Sequence, residues 1–246
     1  MSAIRIPRDL DNRIEDAIEF FWATRSGQIT RQTQLGSHDQ GNRGAVTGGK
    51  QLDGFVCLMK DILVLNGVPE NCIFIDSDLE LPGYYRPTKK WDLLVVDNNE
   101  LIIAIEFKSH VGPSFGNNFN NRTEEAMGSA LDIWTAYREG VFGTQKAPWL
   151  GYFLVLEDCL KSNVPVRSNS KHFPILREFT NASYKERYEI FCSKLLLERQ
   201  YSAACFIATS NREDYLYYDY PKEELSCIQF IMSMLGAVVS HYSQEN

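Results

Sequence analysis

The sequence predicts an α/β fold with a mixed central β-sheet flanked by helices. Three observations carry that expectation. Residues 91–97 and 101–109 are apolar runs, rich in β-branched residues and separated by Asn98-Asn99. Such a pair reads as a hairpin in the middle of a sheet. Beyond it, strand-like runs at 150–156 and 203–209 alternate with segments of helical period. Hydrophobic residues make up 44% and charged residues 23% of the 246-residue chain, enough to build a core and too apolar for a disordered chain. That length suits a single domain, 1–246, with its core at about 70–160.

The elements follow in order. Leu10, Ile14, Ala17, Ile18 and Phe21 recur at helical spacing, which predicts an amphipathic helix over 8–25. Residues 26–50 carry six glycines and few apolar residues, so they read as a long loop or arm, either functional or a plain surface insertion. Leu52, Phe55, Val56, Met59, Ile62 and Leu63 make a second helix, stopped by Asn66-Gly67 with Pro69 after it. Residues 72–75 read as a short strand, and Pro82-Gly83 as a turn. After the hairpin, the Gly/Asn-rich stretch 111–122 reads as a loop. Thr123 can then cap a helix to about Arg138, with Gly140 just past its end. Residues 158–174 are a polar loop. Ser183 with Glu186 forms a capping box for a helix to about Gln200. Residues 215–220 are extended and aromatic, and Pro221 opens a last helix to about His241.

The formal net charge is −7, so any nucleic-acid surface must be a local basic patch. Six cysteines at 57, 72, 159, 192, 205 and 227 form no CxxC pair. They read as reduced, buried thiols of a cytoplasmic protein, and a structural zinc is not expected. The N-terminus lacks an apolar signal core, and the longest apolar stretch, 228–239, is too short to span a bilayer. No membrane association is expected.

The chemistry sits in WDLLVVDNNELIIAIEFKS, residues 91–109. Asp92 opens one strand and Glu106-Phe107-Lys108 closes the next. Side chains alternate along a strand, so Glu106 and Lys108 share a face. Ionised groups on a central strand are costly unless paired or bound to a metal. A Glu106–Lys108 salt bridge that only caps the strand end is the plain alternative. Asp92, fourteen positions before Glu106 on the other arm, tips the balance. Asp92 and Glu106 are hard oxygen ligands suited to Mg²⁺, the Phe107 carbonyl can add a third, and Lys108 can orient a water or stabilise developing negative charge. The set suits phosphodiester hydrolysis.

Register constrains this reading. A regular two-residue turn at Asn98-Asn99 would pair Asp97 with Glu100 and so place Asp92 opposite Ile105, facing away from Glu106. A shared metal therefore requires an odd-length loop or a bulge between Asp92 and Glu106.

These residues, with the longer runs GYYRPTKKWDLL and IEFKSHVGPSFGNNFNNRTEEA, resemble the PD-(D/E)xK nucleases and, within them, the XhoI-type restriction endonucleases. The proline that usually precedes the aspartate is Trp91 here. The resemblance implies a restriction-endonuclease-like core and type II cleavage of double-stranded DNA at the palindrome CTCGAG, after the first C, in restriction–modification defence. It implies Mg²⁺ at Asp92 and Glu106, with Lys108 as the catalytic lysine, in a prokaryotic cytoplasm. A palindrome has two equivalent scissile bonds, so a C₂ homodimer is expected. An additional acid from an upstream helix is common in such enzymes, and Glu15, Glu19 and Asp61 are the candidates.

Weaker candidates surround the core. Arg86, Lys89 and Lys90 can meet flanking phosphates or simply be solvated. Asn117, Asn118, Asn120, Asn121 and Arg122 can read bases or form an ordinary Asn/Gly turn. Ser109 and His110 follow the ExK strand and can contact phosphate. Tyr215, Tyr217, Tyr218 and Tyr220 suit packing better than base stacking. Two rival functions stand beside the main one: a repair or junction-resolving nuclease of the same fold, and a non-catalytic DNA-binding protein.

Overall fold

The computed structural model describes residues 4–34, 50–212 and 215–243. These fall in two compact units, one of Val68–Ser210 and Tyr217–Asn246, the other of Ser2–Gly67 and Asn211–Leu216.

The smaller unit packs helix α1, Leu10–Gln34, against α2, Asp53–Leu65. The predicted stripe Leu10, Ile14, Ala17, Ile18 and Phe21 is buried, and so is its partner stripe from Phe55 to Leu63. Cys57, expected to be buried, points outward, because it falls between the Phe55/Val56 and Leu58/Met59 pairs that turn inward. The α2 stop is as expected, with Gly67 at φ +89, a conformation glycine adopts without strain. α1 runs on to Gln34, into the segment read as a loop, so a single Gly27 did not end it. The remainder of that segment, 35–49, lies outside the described residues.

The larger unit is built on a six-stranded mixed sheet in the order β1-β4-β5-β6-β7-β8. The strands are β1 Ile73–Phe74, β4 Leu93–Asp97, β5 Glu100–His110, β6 Trp149–Glu157, β7 Ala203–Arg212 and β8 Tyr215–Asp219. β1, β4 and β5 pair antiparallel, whereas β5, β6 and β7 run parallel. A separate hairpin of β2, Glu80–Pro82, and β3, Thr88–Lys90, pairs Leu81 with Lys89. The sequence marks only the turn within it. Two three-residue strands carrying Glu and Lys give no alternating apolar signal.

Helices α3, Phe115–Arg138, and α5, Tyr184–Leu197, pack together. They share a core cluster with Leu94, Ala104, Tyr152, Leu154 and Phe206 of the sheet. The expected Ser183–Glu186 capping box is present. The short α4, Leu160–Asn163, lies beyond β6. α6, Cys227–Tyr242, contacts β5 and β6, with Phe230 against Trp149 and Phe153.

Two helix starts differ from expectation. α6 begins at Cys227 rather than Pro221, because a 3₁₀ turn, Glu223–Leu225, intervenes. α3 begins at Phe115, so Asn117 to Arg122 are helical rather than loop. Phe115 and Phe119, one turn apart, pack on His110, Tyr184 and Tyr188, and this burial outweighs the poor helix propensity of the asparagines. Thr123 is therefore mid-helix, its hydroxyl donating to the Phe119 carbonyl.

Candidate active site

The β4–β5 hairpin sets the register of the site. Asn98 and Asn99 both have positive φ, 49° and 63°, as a two-residue type I′ turn requires. Asp97 accordingly pairs with Glu100 and Val96 with Leu101. The next pair is Val95 with Ile103, leaving Ile102 as a bulge, and the count then runs through Leu93 with Ile105. Continued by one step, that count would set Asp92, just before β4, opposite Glu106. The regular turn and the required bulge coexist.

Ala104, Glu106 and Lys108 therefore face α3, whereas Phe107 points to the other side of the sheet and packs on Phe153. The Asp92 N–H donates to the Ile105 carbonyl, and the Phe107 N–H donates to Asp92 Oδ2 at 2.8 Å. The N–H and C=O of one strand residue point to the same side, so the Phe107 carbonyl faces the Asp92 side, where β4 has ended.

Glu106 is 2% exposed. Its Oε1 meets Lys108 Nζ at 2.8 Å and Lys89 Nζ at 3.4 Å. The Tyr201 hydroxyl lies 3.2 Å from Oε2 and 3.1 Å from the Ala126 carbonyl; with one proton to give, it favours the charged acceptor. Burial works hardest against the Glu106 charge, yet Lys108 and Lys89 outweigh it and hold the carboxyl below its ordinary value. Asp92 has less help: burial pushes its carboxyl up, against the Phe107 N–H and Lys108. Burial likewise opposes the Lys108 charge, but Glu106 and Asp92 prevail and raise it. Lys89 goes the other way, pushed down by burial despite Glu106.

Lys89, Glu106 and Lys108 form one wall of a cavity of about 570 Å³, with Glu124, Glu125 and Asp132 of α3 on the other. Asp132 organises its rim. Oδ1 accepts from the backbone N–H of Tyr84 and of Tyr85, both at 2.8 Å, and Oδ2 accepts from Arg86 Nε at 2.7 Å. A Cβ on Gly83 would sit 2.5 Å from that carboxylate, so only glycine lets the loop close down. Tyr84 and Tyr85 are left exposed beside the cavity, stacked edge to face.

The remaining sequence candidates separate. Lys90 and Asn117, Asn120 and Asn121 are exposed. Asn118 and Arg122 are half-buried, and Arg122 pairs with Glu125 at 2.7 Å. The amide run thus lies on the first turns of α3, leading down to the cavity-lining Glu124 and Glu125. Ser109 is half-buried. His110 is 1% exposed: Nδ1 accepts from the Tyr188 hydroxyl at 2.7 Å and Nε2 donates to the Ser114 carbonyl at 3.2 Å, so its ring is spent internally rather than on phosphate. Glu15, Glu19 and Asp61 are exposed on the smaller unit. Tyr201, Asp132, Glu124 and Glu125 had not been singled out in the sequence. Asp132, a carboxylate between Leu131 and Ile133, carried the only usable signal.

Among the described residues no group of three or more His, Cys, Asp or Glu side chains is arranged to hold a metal ion. Two carboxylates and a carbonyl nonetheless fit Mg²⁺, which keeps several waters and shares its shell with substrate phosphate. Among the described residues no helix is long and apolar enough to cross a membrane.

A family model described as restriction endonuclease XhoI matches residues 31–221. The type II restriction enzyme BstVI of Geobacillus stearothermophilus is 48% identical over 214 residues, 84% of this chain and 95% of that one. The type II restriction enzyme XhoI of Xanthomonas vasicola is 49% identical over 180 residues, 72% of each chain. AbrI of Azospirillum brasilense, also a type II restriction enzyme, is 46% identical over 166 residues, 67% of this chain and 74% of that one. No solved structure matches.

Proposed function

The chain belongs to the XhoI restriction endonuclease family, and from that premise we propose that it hydrolyses double-stranded DNA at CTCGAG with Mg²⁺, using Asp92, Glu106 and Lys108. It acts as a cytoplasmic homodimer. The observation that carries this reading is the bulged register of β4 on β5, which leaves Asp92 just before β4 and within electrostatic reach of Glu106 and Lys108, two residues that line the cavity.

Asp92, Glu106 and the Phe107 carbonyl would hold the metal. When bound, it lowers the pKa of the attacking water and neutralises phosphate charge. The protein's own groups do the positioning. Phe107 N–H fixes one Asp92 oxygen, and Tyr201 and Lys108 fix the Glu106 carboxylate. Lys108 orients the water and stabilises negative charge as one P–O bond forms and another breaks, leaving a phosphate end and a hydroxyl end. Arg86, Lys90 and Ser109 contact backbone phosphates, and Asn117, Asn118, Asn120, Asn121 and Arg122 approach the bases from α3.

A plasmid with a single CTCGAG tests this. Wild-type protein with Mg²⁺ should linearise it and leave a plasmid lacking that site intact. Asp92→Ala or Glu106→Ala should lose cleavage by orders of magnitude while staying folded. Ca²⁺ should support binding without cutting, since its looser geometry activates water poorly. Near-normal cutting by either variant would remove the metal assignment.

A further inference from the structure

One carboxylate oxygen in the site faces two ammonium groups. Glu106 Oε1 has Lys108 at 2.8 Å and Lys89 at 3.4 Å. Lys108 alone neutralises Glu106, so the second lysine adds repulsion between like charges. It also pays for burial, its side chain being only 12% exposed. A buried ion pair is a poor way to gain stability, because an apolar side chain of similar size usually does as well. Yet the fold goes out of its way to put the charge there. β3 pairs with β2 so that Lys89 points inward while Lys90 points out. The Trp91 ring lies beneath the ammonium at 4.1 Å from ring centroid to Nζ. The sequence groups Lys89 with Arg86 and Lys90 as a contact to flanking phosphates. All three line the cavity, but Arg86 is paired with Asp132 and Lys90 is exposed, whereas Lys89 is half-buried against Glu106.

Charge balance explains the arrangement. Asp92 and Glu106 supply two negative charges, and Lys89 and Lys108 supply two positive ones. These four groups thus balance one another before anything binds, with Asp132 already paired to Arg86 and Glu125 to Arg122. A divalent metal adds two positive charges, the diester removes one, and the charge developing under attack removes the other. The balance closes again only with both lysines present. We propose that Lys89 is a second active-site cation: it rests on Glu106 Oε1 in the free protein and brings its ammonium to the scissile phosphate as negative charge develops there under attack. The proposal rests on the Mg²⁺-dependent reading above. It makes Lys89 and the metal competitors for Glu106.

Lys89→Met keeps the length of the side chain and removes the charge, and Lys89→Gln serves as a second variant. Calorimetric titration of DNA-free protein with Ca²⁺ should show several-fold tighter binding for the variants, because a competing cation has gone. Affinity for a CTCGAG duplex in Ca²⁺ should change less than about threefold, as expected when a contact forms mainly in the transition state. Single-turnover cleavage at saturating Mg²⁺ should fall by about 100-fold or more, the usual loss when one such charge contact is removed. Thermal melting should not drop. Weaker Ca²⁺ binding with a lowered melting temperature would make Lys89 a structural support for Glu106 and overturn the proposal. A fall in duplex affinity with an unchanged cleavage rate would return it to the flanking phosphates. If Lys89→Met cuts at the wild-type rate while Asp92→Ala is inert, Lys89 alone is misassigned. If Asp92→Ala also cuts, the underlying metal reading fails.

Discussion

Ionisable groups on β5 are held in opposite ways within four residues. Glu106 keeps its charge because two lysines and a hydroxyl surround it. His110 gives its charge up. It lies between Phe115 and the edge of Tyr188, and burial pushes its imidazole down to about 4 against the pull of the Ser114 carbonyl. The two hydrogen bonds, one accepted and one donated, suit the neutral ring. Linkage fixes the sign. The unfolded ring titrates near 6.5, so this contribution to stability is complete above that pH. It is lost as pH falls toward 4, because the unfolded chain then takes up a proton that the folded one refuses. By the free energy of one pKa unit the contribution is about 3 kcal/mol. His110→Gln, which keeps a donor and an acceptor without titrating, should be less stable at neutral pH. The stability it loses between pH 6.5 and 4, read by urea denaturation, should be smaller than the wild-type loss by about that amount. Equal losses in the two proteins would mean that the ring is not held neutral.

At the scale of elements, legibility followed apolar patterning. β5, β6, α2 and the capped α5 were readable because burial gives each its period or its continuous apolar run, and the capping box marks a helix start locally. The bulge was foreseeable as a requirement, from a count of fourteen residues and a two-residue turn, but its place at Ile102 was not. What escaped was decided by distant partners. Phe115 and Phe119 turn an Asn-rich stretch into helix only because Tyr184 and Tyr188 receive them. Tyr201 reaches Glu106 across 95 positions with no motif to announce it. The bulge itself yields a counterintuitive expectation. Ile102 is the unpaired residue, so deleting it leaves a regular hairpin in which Leu93 still stands opposite Ile105 and Asp92 keeps its place one residue beyond. That deletion should cost about 2–5 kcal/mol for the lost buried side chain yet preserve cleavage. Deleting Val95 from β4 removes a buried aliphatic of similar size but shifts Asp92 by one place. It should abolish cleavage even where circular dichroism shows a folded protein. A folded but inert Ile102 deletion would show that the bulge serves the site by some means other than register.

For the molecule as a whole, a net charge of −7 leaves no general attraction to DNA. Recognition must come from local charge and from symmetry. On the proposed mechanism, one set of Asp92, Glu106 and Lys108 breaks one phosphodiester. A palindrome offers two such bonds related by a twofold axis, and the economical match is a C₂ dimer with one cavity on each strand. Sedimentation should then give twice the mass of the chain, with or without duplex. A sharper consequence follows for mixed dimers. If one differently tagged protomer is wild type and the other carries Glu106→Gln, the purified heterodimer still binds both half-sites but has one competent cavity. It should convert a single-site supercoiled plasmid to nicked circles, with linear product appearing only after release and rebinding in the opposite orientation. Independent monomers, each cutting whichever strand it meets, would instead linearise the plasmid at about half the wild-type rate, through the same proportion of nicked circles as the wild type. Nicked circles well above the wild-type proportion tie each cavity to one strand; a course that differs from wild type in rate alone would break the correspondence between dimer symmetry and palindrome.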